Sequence, residues 1–174
     1  LTDLPRWLAT IDLDAHERGE ITGAELLERI AGQARHPLDP RDLERRWLDM
    51  FERAGEMFDL AEGLMQDYRV YLLSNVGDLH WAHLDAEYGI ARVGHGAVAS
   101  FRVGAVKPSA EIYREAERRL GLEPAETVFV DDLARNVAGA RACGWQAIHH
   151  QDPGATRRSL RELGVRLPGI FAED

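Results

Sequence analysis

Two short apolar runs, each ending in polar side chains, constrain the fold of this chain more than any other feature of its sequence. The run "YRVYLLSN" begins at Tyr68, and the run "TVFVDD" begins at Thr127. Their near-continuous hydrophobicity is typical of strands that are buried on both faces of a sheet. Helical patterns separate them, so the sequence predicts an α/β domain with a largely parallel sheet and right-handed crossovers.

The rest of the second half of the chain continues this alternation. Glycines mark the ends of three predicted helices, as expected of residues that readily close a helix. The predicted helices are "DLHWAHLDAEYG", "KPSAEIYREAERRLG", "NVAGARACG" and "GATRRSLRELG", and the further predicted strands are "AVASFRV" and "QAIHH".

The first sixty residues read differently, because they carry helical signals only. Thr22 and Glu25 have the spacing of a capping box, and Asp39 followed by proline has the pattern of a helix start. After Asp39, an apolar stripe of Leu43, Trp47, Met50 and Phe51 is predicted to pack in a core. These residues are expected to form a small helical lobe of their own.

Composition excludes several classes of partner. Of the 174 residues, 45% are hydrophobic and 29% are charged, and the net charge of −9 argues against nucleic acid as a partner. The single cysteine, Cys143, excludes an internal disulfide and is expected to be a small packing residue. No apolar stretch approaches membrane-spanning length, and acids stand where a signal peptide would carry basic residues, so a cytoplasmic location without membrane contact is expected.

Polar residues collect where the predicted strands end. Ser74 and Asn75 end the first strand, Asp131 and Asp132 end the second, and Lys107 lies in the loop after the short strand "AVASFRV". In open parallel sheets, ligands bind in the crevice at the carboxyl ends of the strands. These five residues are therefore predicted to converge on one edge of the sheet.

The residue types at this edge suggest phosphate chemistry. Adjacent carboxylates repel unless a proton or cation relieves them, and Mg²⁺ prefers a few carboxylates together with several waters. Lys107 can neutralise an acid or an anionic substrate, while Ser74 and Asn75 can bind phosphoryl oxygens or cap the next helix. A helix cap and a solvated acid would also explain the two aspartates.

A second possible metal site has less support in the sequence. His80 and His83 lie three residues apart on a predicted helix, but no third ligand is evident. Mg²⁺ is therefore expected at the Asp131–Asp132 pair and not at these two histidines.

Taken as an ordered set, these segments resemble the motifs of the haloacid dehalogenase-like (HAD) hydrolase superfamily. "YLLSN", "VKPSAEIY" and "VFVDD" look like its second, third and fourth motifs. The segments "SNVGDLHW", "VDDLARNVAGARACGW" and "HERGEIT" look like the phosphatase branch that includes α-glucose-1-phosphate phosphatases and the N-terminal domains of soluble epoxide hydrolases.

The resemblance implies a Rossmann-like core with a small helical cap, residues 1–62 forming the cap and residues 63–174 the core. It implies that Ser74 binds the phosphoryl group, that Lys107 steadies the nucleophile and the phosphoryl charge, and that Asp132 ligates Mg²⁺ beside Asp131. Asn136 stands where many relatives have another acid. The implied substrate is a small phosphomonoester, such as a sugar phosphate.

The family's first motif, an Asp-x-Asp that ends a central N-terminal strand, is not found. Asp12 and Asp14 have the spacing, but too few apolar residues precede them and "HERGEIT" follows where the cap is already under way. The core is therefore expected to lack its central strand, and the chain as written is expected to be inactive. Either a longer protein carries the motif, which we favour, or the chain is a non-catalytic binding or scaffolding domain. A haloacid dehalogenase is a further alternative.

Overall fold

The computed structural model describes residues 10–34 and 36–169, and it confirms a mixed α/β fold. Helices dominate the first third of the chain, and strands and helices alternate from β1 onward. In chain order the elements are α1 (Leu13–Glu17), α2 (Gly23–Gly32), α3 (Pro40–Leu48), α4 (Gly55–Leu64), β1 (Leu72–Ser74), α5 (Asp78–Tyr88), β2 (Ala97–Ala99), α6 (Ser100–Val103), α7 (Ala110–Leu120), β3 (Val128–Asp131), α8 (Ala134–Ala142), β4 (Gln146–His149) and α9 (Pro153–Glu162).

Two compact units divide the described residues. The first unit runs to Arg53 and includes Ser74–Ile90 and Ala99–Val106. The second unit contains Ala54–Leu73, Ala91–Val98 and the residues from Lys107 onward. The expected division into a cap before residue 62 and a core after it stays a prediction.

The first unit is held by capped helices around a small apolar core. Thr22 and Glu25 form the predicted capping box at the start of α2, and the Asp39 side chain accepts a hydrogen bond at the start of α3. The predicted helix starts are thus confirmed. One buried apolar cluster of this unit contains Ile11, Leu26, Ile30 and Trp47.

The apolar stripe predicted after Asp39 is wrong in its second half. Helix α3 ends at Leu48, so Met50 and Phe51 lie beyond it and are 53% and 44% exposed. Because the helix stops, the helical spacing no longer places these two side chains on the face of Trp47. Trp47 is in the core and Leu43 packs against it, whereas Phe51 contacts the buried His80 ring edge to face, with ring centroids 4.8 Å apart.

The strands in the described part of the chain form two pairs. β3 lies parallel to β4, with Val128 opposite Gln146 and Asp131 opposite His149. β1 pairs with β2, where the Leu72 amide donates to the Gly96 carbonyl at 3.0 Å. The predicted β1, β3 and β4 are thus present, although β1 is shorter than the apolar run that predicts it.

The strand predicted over "AVASFRV" is correct only for its first half. It ends at Ala99, and the chain then turns into the short helix α6. The fully buried Ser100 marks the change, since its hydroxyl donates to the Glu17 carbonyl at 2.6 Å and accepts from the Val76 amide at 2.9 Å. A buried hydroxyl with these partners holds the backbone out of a continued strand.

Aromatic and aliphatic packing anchors the second unit. Tyr113, Phe129 and Trp145 meet edge to face with ring centroids 5.4–6.0 Å apart, and the predicted packing residue Cys143 is buried. Within the described residues, no helix combines the length and apolar character that a membrane span requires.

Candidate active site

A buried ion pair joins Lys107 to the end of β3. The Lys107 ammonium donates to Asp131 Oδ2 at 2.7 Å and to the Leu73 carbonyl at 3.0 Å. The two side chains are 10% and 5% exposed. The sequence-based prediction that Lys107 and Asp131 share an edge of the sheet agrees with this contact.

Asp131 also organises the turn that leads into α8. Its Oδ1 accepts hydrogen bonds from the Leu133 amide and from Asn136 Nδ2, both at 2.9 Å. Both carboxylate oxygens are thus engaged in hydrogen bonds that orient Asp131. Its contribution to a metal site stays a prediction. The N-cap residue of α8 is Leu133, whose side chain makes no capping hydrogen bond. Neither aspartate is therefore the N-cap of this helix, as the helix-cap interpretation requires.

Opposing effects set the charge of Asp131. Burial raises the pKa of this carboxyl, but the Lys107 ammonium, the Leu133 amide and the Asn136 amide together hold it below its ordinary value. The group is therefore a carboxylate at neutral pH. A fixed negative charge next to Lys107 keeps the lysine side chain in one position.

Helix α8 and the Lys107 loop pack closely enough to hold this geometry. The Tyr113 hydroxyl donates to the Asn136 carbonyl at 2.7 Å. A Cβ built on Gly139 would lie 2.6 Å from the Pro108 carbonyl oxygen, which is too short for a real contact. Gly139 thus lets α8 approach the loop that carries Lys107.

We expect Gly139→Ala to destabilise the protein by about 1–2 kcal/mol, because the overpacking cost of about 1–3 kcal/mol exceeds the gain of up to ~1 kcal/mol in helix propensity. Urea unfolding followed by tryptophan fluorescence measures the change. Gly32→Ala is the matched control, since a Cβ at this helical glycine meets nothing within 4 Å. Equal stability of the two variants would contradict close packing at Gly139.

Asp132 and Asn136 supply the remaining oxygen donors near this turn. Asp132 is exposed, and Asn136 Oδ1 is buried without a hydrogen-bond partner. A carboxylate and an unsatisfied amide oxygen suit Mg²⁺ in kind. These donors are few. Within residues 10–34 and 36–169, the structure shows no group of three or more acidic, histidine or cysteine side chains that could hold a metal.

Ser74 and Asn75 belong to the first unit, where both are half-buried at the end of β1. The following helix α5 takes Gly77 as its N-cap, so neither residue has the capping role considered from the sequence. Their approach to Lys107 and Asp132 stays a prediction.

His80, one of the two histidines on α5, has a packing role within the first unit. His80 is buried, its Nε2 lies 2.8 Å from the Trp47 carbonyl, and its ring stacks on the Trp47 ring at 5.2 Å. Burial lowers the pKa of this imidazole. His80 is thus occupied by packing and hydrogen bonding within the first unit.

The Asp-x-Asp spacing near the start of the described chain falls on a helix. Asp12 precedes α1, has a left-handed backbone with φ of 61°, and pairs with Arg29 at 3.1 Å. Asp14 lies inside α1. Neither acid ends a strand, as the family's nucleophile motif does.

Sequence reasoning missed two contributors to the site. The Leu73 carbonyl gives no sequence signal, because any residue could supply it. In the sequence Asn136 is only a departure from the family pattern, which does not reveal that its side-chain amide donates to Asp131.

Comparison with known proteins points to one group. A family model described as haloacid dehalogenase-like hydrolase matches residues 6–144. A sesquiterpene phosphatase of Aspergillus oryzae is 33% identical over 98 residues, which are 56% of this chain and 50% of that protein. A D-ribitol-5-phosphate phosphatase of Bacteroides thetaiotaomicron is 24% identical over 152 residues, covering 83% of this chain and 73% of the relative.

A solved structure resembles the fold as well. A HAD family enzyme from Bacteroides thetaiotaomicron, crystallised as a magnesium complex, superposes with a TM-score of 0.76 and 25% identity. The match covers 86% of this chain and 79% of that one. The chain spans half the length of the Aspergillus relative, so it corresponds to part of that protein.

Proposed function

Because the chain belongs to the haloacid dehalogenase-like hydrolases, we propose that it is the greater part of a Mg²⁺-dependent phosphatase acting on small phosphomonoesters. The observation that carries the proposal is the buried Lys107–Asp131 pair at the carboxyl end of β3. It holds a fixed ammonium where an anionic group can bind. The relatives named as phosphatases support the same reaction class.

In this proposal Lys107 attracts the phosphoryl group and stabilises the charge that develops on its oxygens. Asp131 fixes the direction of the ammonium, and Ser74 and Asn75 contribute a hydroxyl and an amide to phosphoryl oxygens. Asp132, with Asp131 contributing, would hold Mg²⁺, which when bound neutralises phosphoryl charge as a Lewis acid. The attacking carboxylate is not among these residues, and we propose that a strand ending in Asp-x-Asp supplies it.

A substrate panel tests the reaction class. The chain, joined to a strand ending in Asp-x-Asp, is assayed with ribitol 5-phosphate, glyceraldehyde 3-phosphate, p-nitrophenyl phosphate and 2-chloropropionate, each with Mg²⁺ and with a chelator. Mg²⁺-dependent phosphate release supports the proposal. Chloride release that survives the chelator would instead assign a dehalogenase, and turnover of none of the four would favour a binding domain.

We predict weak Mg²⁺ binding that depends on Asp132. Asp132→Ala should weaken the binding by at least about tenfold, the lower end of what losing even an outer partner of a metal site costs. Isothermal titration calorimetry of the 174-residue chain measures it. Glu162→Ala, which removes an exposed acid at the end of α9, is the control and should bind as the parent does. Unchanged affinity in Asp132→Ala would remove this residue from the metal site.

A further inference from the structure

The segment "HERGEIT", residues 16–22, packs within the first unit against the loop that follows β1. Residues 74–77 form this loop, which begins with Ser74 and Asn75 and leads into α5. The proposed function assigns these two side chains to phosphoryl oxygens. We refer to residues 74–77 as the phosphoryl loop and to residues 16–22 as the HERGEIT segment.

The imidazole of His16 lies directly against the Gly77 backbone of the phosphoryl loop. His16 is 1% exposed, and a Cβ built on Gly77 would overlap its Nε2 and Cε1 atoms. The Gly77 backbone is extended, with φ of −91° and ψ of 175°, which any residue can adopt. Gly77 is therefore required for space, because any side chain at this position would displace the His16 ring or the loop.

A hydrogen bond and a nearby carboxylate orient the His16 ring. Its Nδ1 lies 3.3 Å from the Ile21 carbonyl oxygen and 3.8 Å from Asp78 Oδ1. Since a carbonyl can only accept, Nδ1 carries a proton and donates to Ile21. Nε2 is buried and has no hydrogen-bond partner among the described residues. An apolar side chain would fill this space without that cost, so what the histidine adds is the bond that ties its ring to the HERGEIT segment.

Ser100 ties a second residue of the phosphoryl loop to the HERGEIT segment. Its buried hydroxyl accepts a hydrogen bond from the Val76 amide at 2.9 Å and donates to the Glu17 carbonyl at 2.6 Å. Gly19 lets the segment approach α6, since a Cβ at its φ of 71° would overlap the Phe101 carbonyl oxygen. Val76 is thus held to the HERGEIT segment through one hydroxyl.

Asp78, the first residue after the phosphoryl loop, makes a third contact of this kind. Its Oδ1 accepts a hydrogen bond from the Gly23 amide at 2.8 Å, and Gly23 directly follows the HERGEIT segment. Three consecutive residues, Val76, Gly77 and Asp78, are therefore fixed by groups that belong to this segment or adjoin it. The two residues that are proposed to bind phosphoryl oxygens lie immediately before them.

We propose that His16 is a positioning residue for phosphoryl binding, and that it acts through Gly77 and not by touching the substrate. The inference rests on the proposed function, because it explains how Ser74 and Asn75 are held in place. A loop that is ordered before the substrate arrives loses little conformational freedom on binding, so phosphate binds more tightly. A ring that is 1% exposed can contribute only in this indirect way.

Titration of the 174-residue chain with inorganic phosphate in the presence of Mg²⁺ tests this role. Nuclear magnetic resonance follows the Ser74 and Asn75 amides as phosphate is added. Gly77→Ala should weaken phosphate binding about tenfold, which is less than the ~10²-fold that a misplacement of about 1 Å can cost. His16→Ala should weaken it by a similar factor. The double variant should lose little more than either single variant, since both changes remove one shared contact.

Leu26→Ala is the control for a loss of stability alone. Leu26 is fully buried in the same unit, in the cluster with Ile30 and Trp47. This variant should lower the free energy of unfolding, which urea denaturation measures, and leave the phosphate affinity of the folded protein unchanged. If His16→Ala does not fold, Gly77→Ala and Leu26→Ala still decide the question, because equal phosphate affinity in these two variants overturns the inference.

The parent chain separates a failure of this inference from a failure of the proposed function. If phosphate shifts the Ser74 and Asn75 amides of the parent and of Gly77→Ala at the same concentration, only the positioning role of His16 is wrong. If the losses in His16→Ala and Gly77→Ala multiply in the double variant, the two residues act separately and the inference is again wrong. If millimolar phosphate shifts neither amide in the parent, the proposed phosphate site is wrong, and the inference falls with it.

Discussion

We expect the 174-residue chain to hydrolyse p-nitrophenyl phosphate more slowly than the same chain joined to a strand that ends in Asp-x-Asp. The difference in rate should be a factor on the order of 10⁶. The physical reason is that Lys107 can bind and polarise a phosphoryl group but cannot attack it. Ser74 is the alternative nucleophile, yet no histidine or other base stands beside it in the sequence to activate its hydroxyl. Initial rates with Mg²⁺, measured for both proteins in one preparation series, check the prediction.

Asp12 provides the control for this comparison. Asp12→Asn should leave the residual rate of the short chain unchanged, because Asp12 pairs with Arg29 at a helix start. An extended chain in which both aspartates of the added strand are asparagines should be as slow as the short chain. If the short chain turns over at an ordinary enzyme rate and Asp12→Asn abolishes it, Asp12 is the nucleophile and its assignment to the cap is wrong.

Lys107→Met should destabilise the fold by about 3–5 kcal/mol at neutral pH, the usual cost of leaving one partner of a buried ion pair uncompensated. Asp131 would remain as a carboxylate that is 5% exposed, with the Leu133 and Asn136 hydrogen bonds but no ammonium. Urea unfolding followed by tryptophan fluorescence measures the loss. The double variant Lys107→Met with Asp131→Asn should recover most of it, since no buried charge is left.

The pH dependence of the same pair gives an independent readout. The folded-state pKa of Asp131 lies below its ordinary value, so the carboxylate contributes stability above the unfolded pKa of about 3.9 and loses it as pH falls through the folded value. In Lys107→Met the ammonium is gone and burial raises the pKa. The difference in the free energy of unfolding between the parent and Lys107→Met should therefore become smaller as pH falls from 7 toward 4. If this difference in the free energy of unfolding did not change with pH, the destabilisation of Lys107→Met would not come from the charge of Asp131.

Much of the fold can be predicted from the sequence, because local patterns carry it. The apolar runs at residues 68–75 and 127–132 predicted strands, and the cap at Thr22 predicted a helix, since these depend on side chains that act on their own neighbours. Glycines marked helix ends at Gly89 and Gly121, where both adopt positive φ. The element types were thus encoded in short stretches of chain.

The errors arose where a distant partner ends an element. The strand predicted through Ser100 stops because the Ser100 hydroxyl bonds to Glu17, which lies 83 residues earlier in the chain. Met50 and Phe51 fall outside the core because α3 ends at Leu48. Helical or strand periodicity does not report such contacts.

At the site, the sequence by itself determined which chemical groups are present: the Lys107 ammonium, the two aspartates and the motif order that identifies the family. Only the tertiary structure decided their roles. Folding brings Lys107 and Asp131, 24 residues apart, into a buried pair and adds the Leu73 carbonyl, leaving Asp132 exposed. Two adjacent aspartates are identical as letters, but Asp131 is the last residue of β3 and is buried, whereas Asp132 lies in the bend after the strand and is exposed.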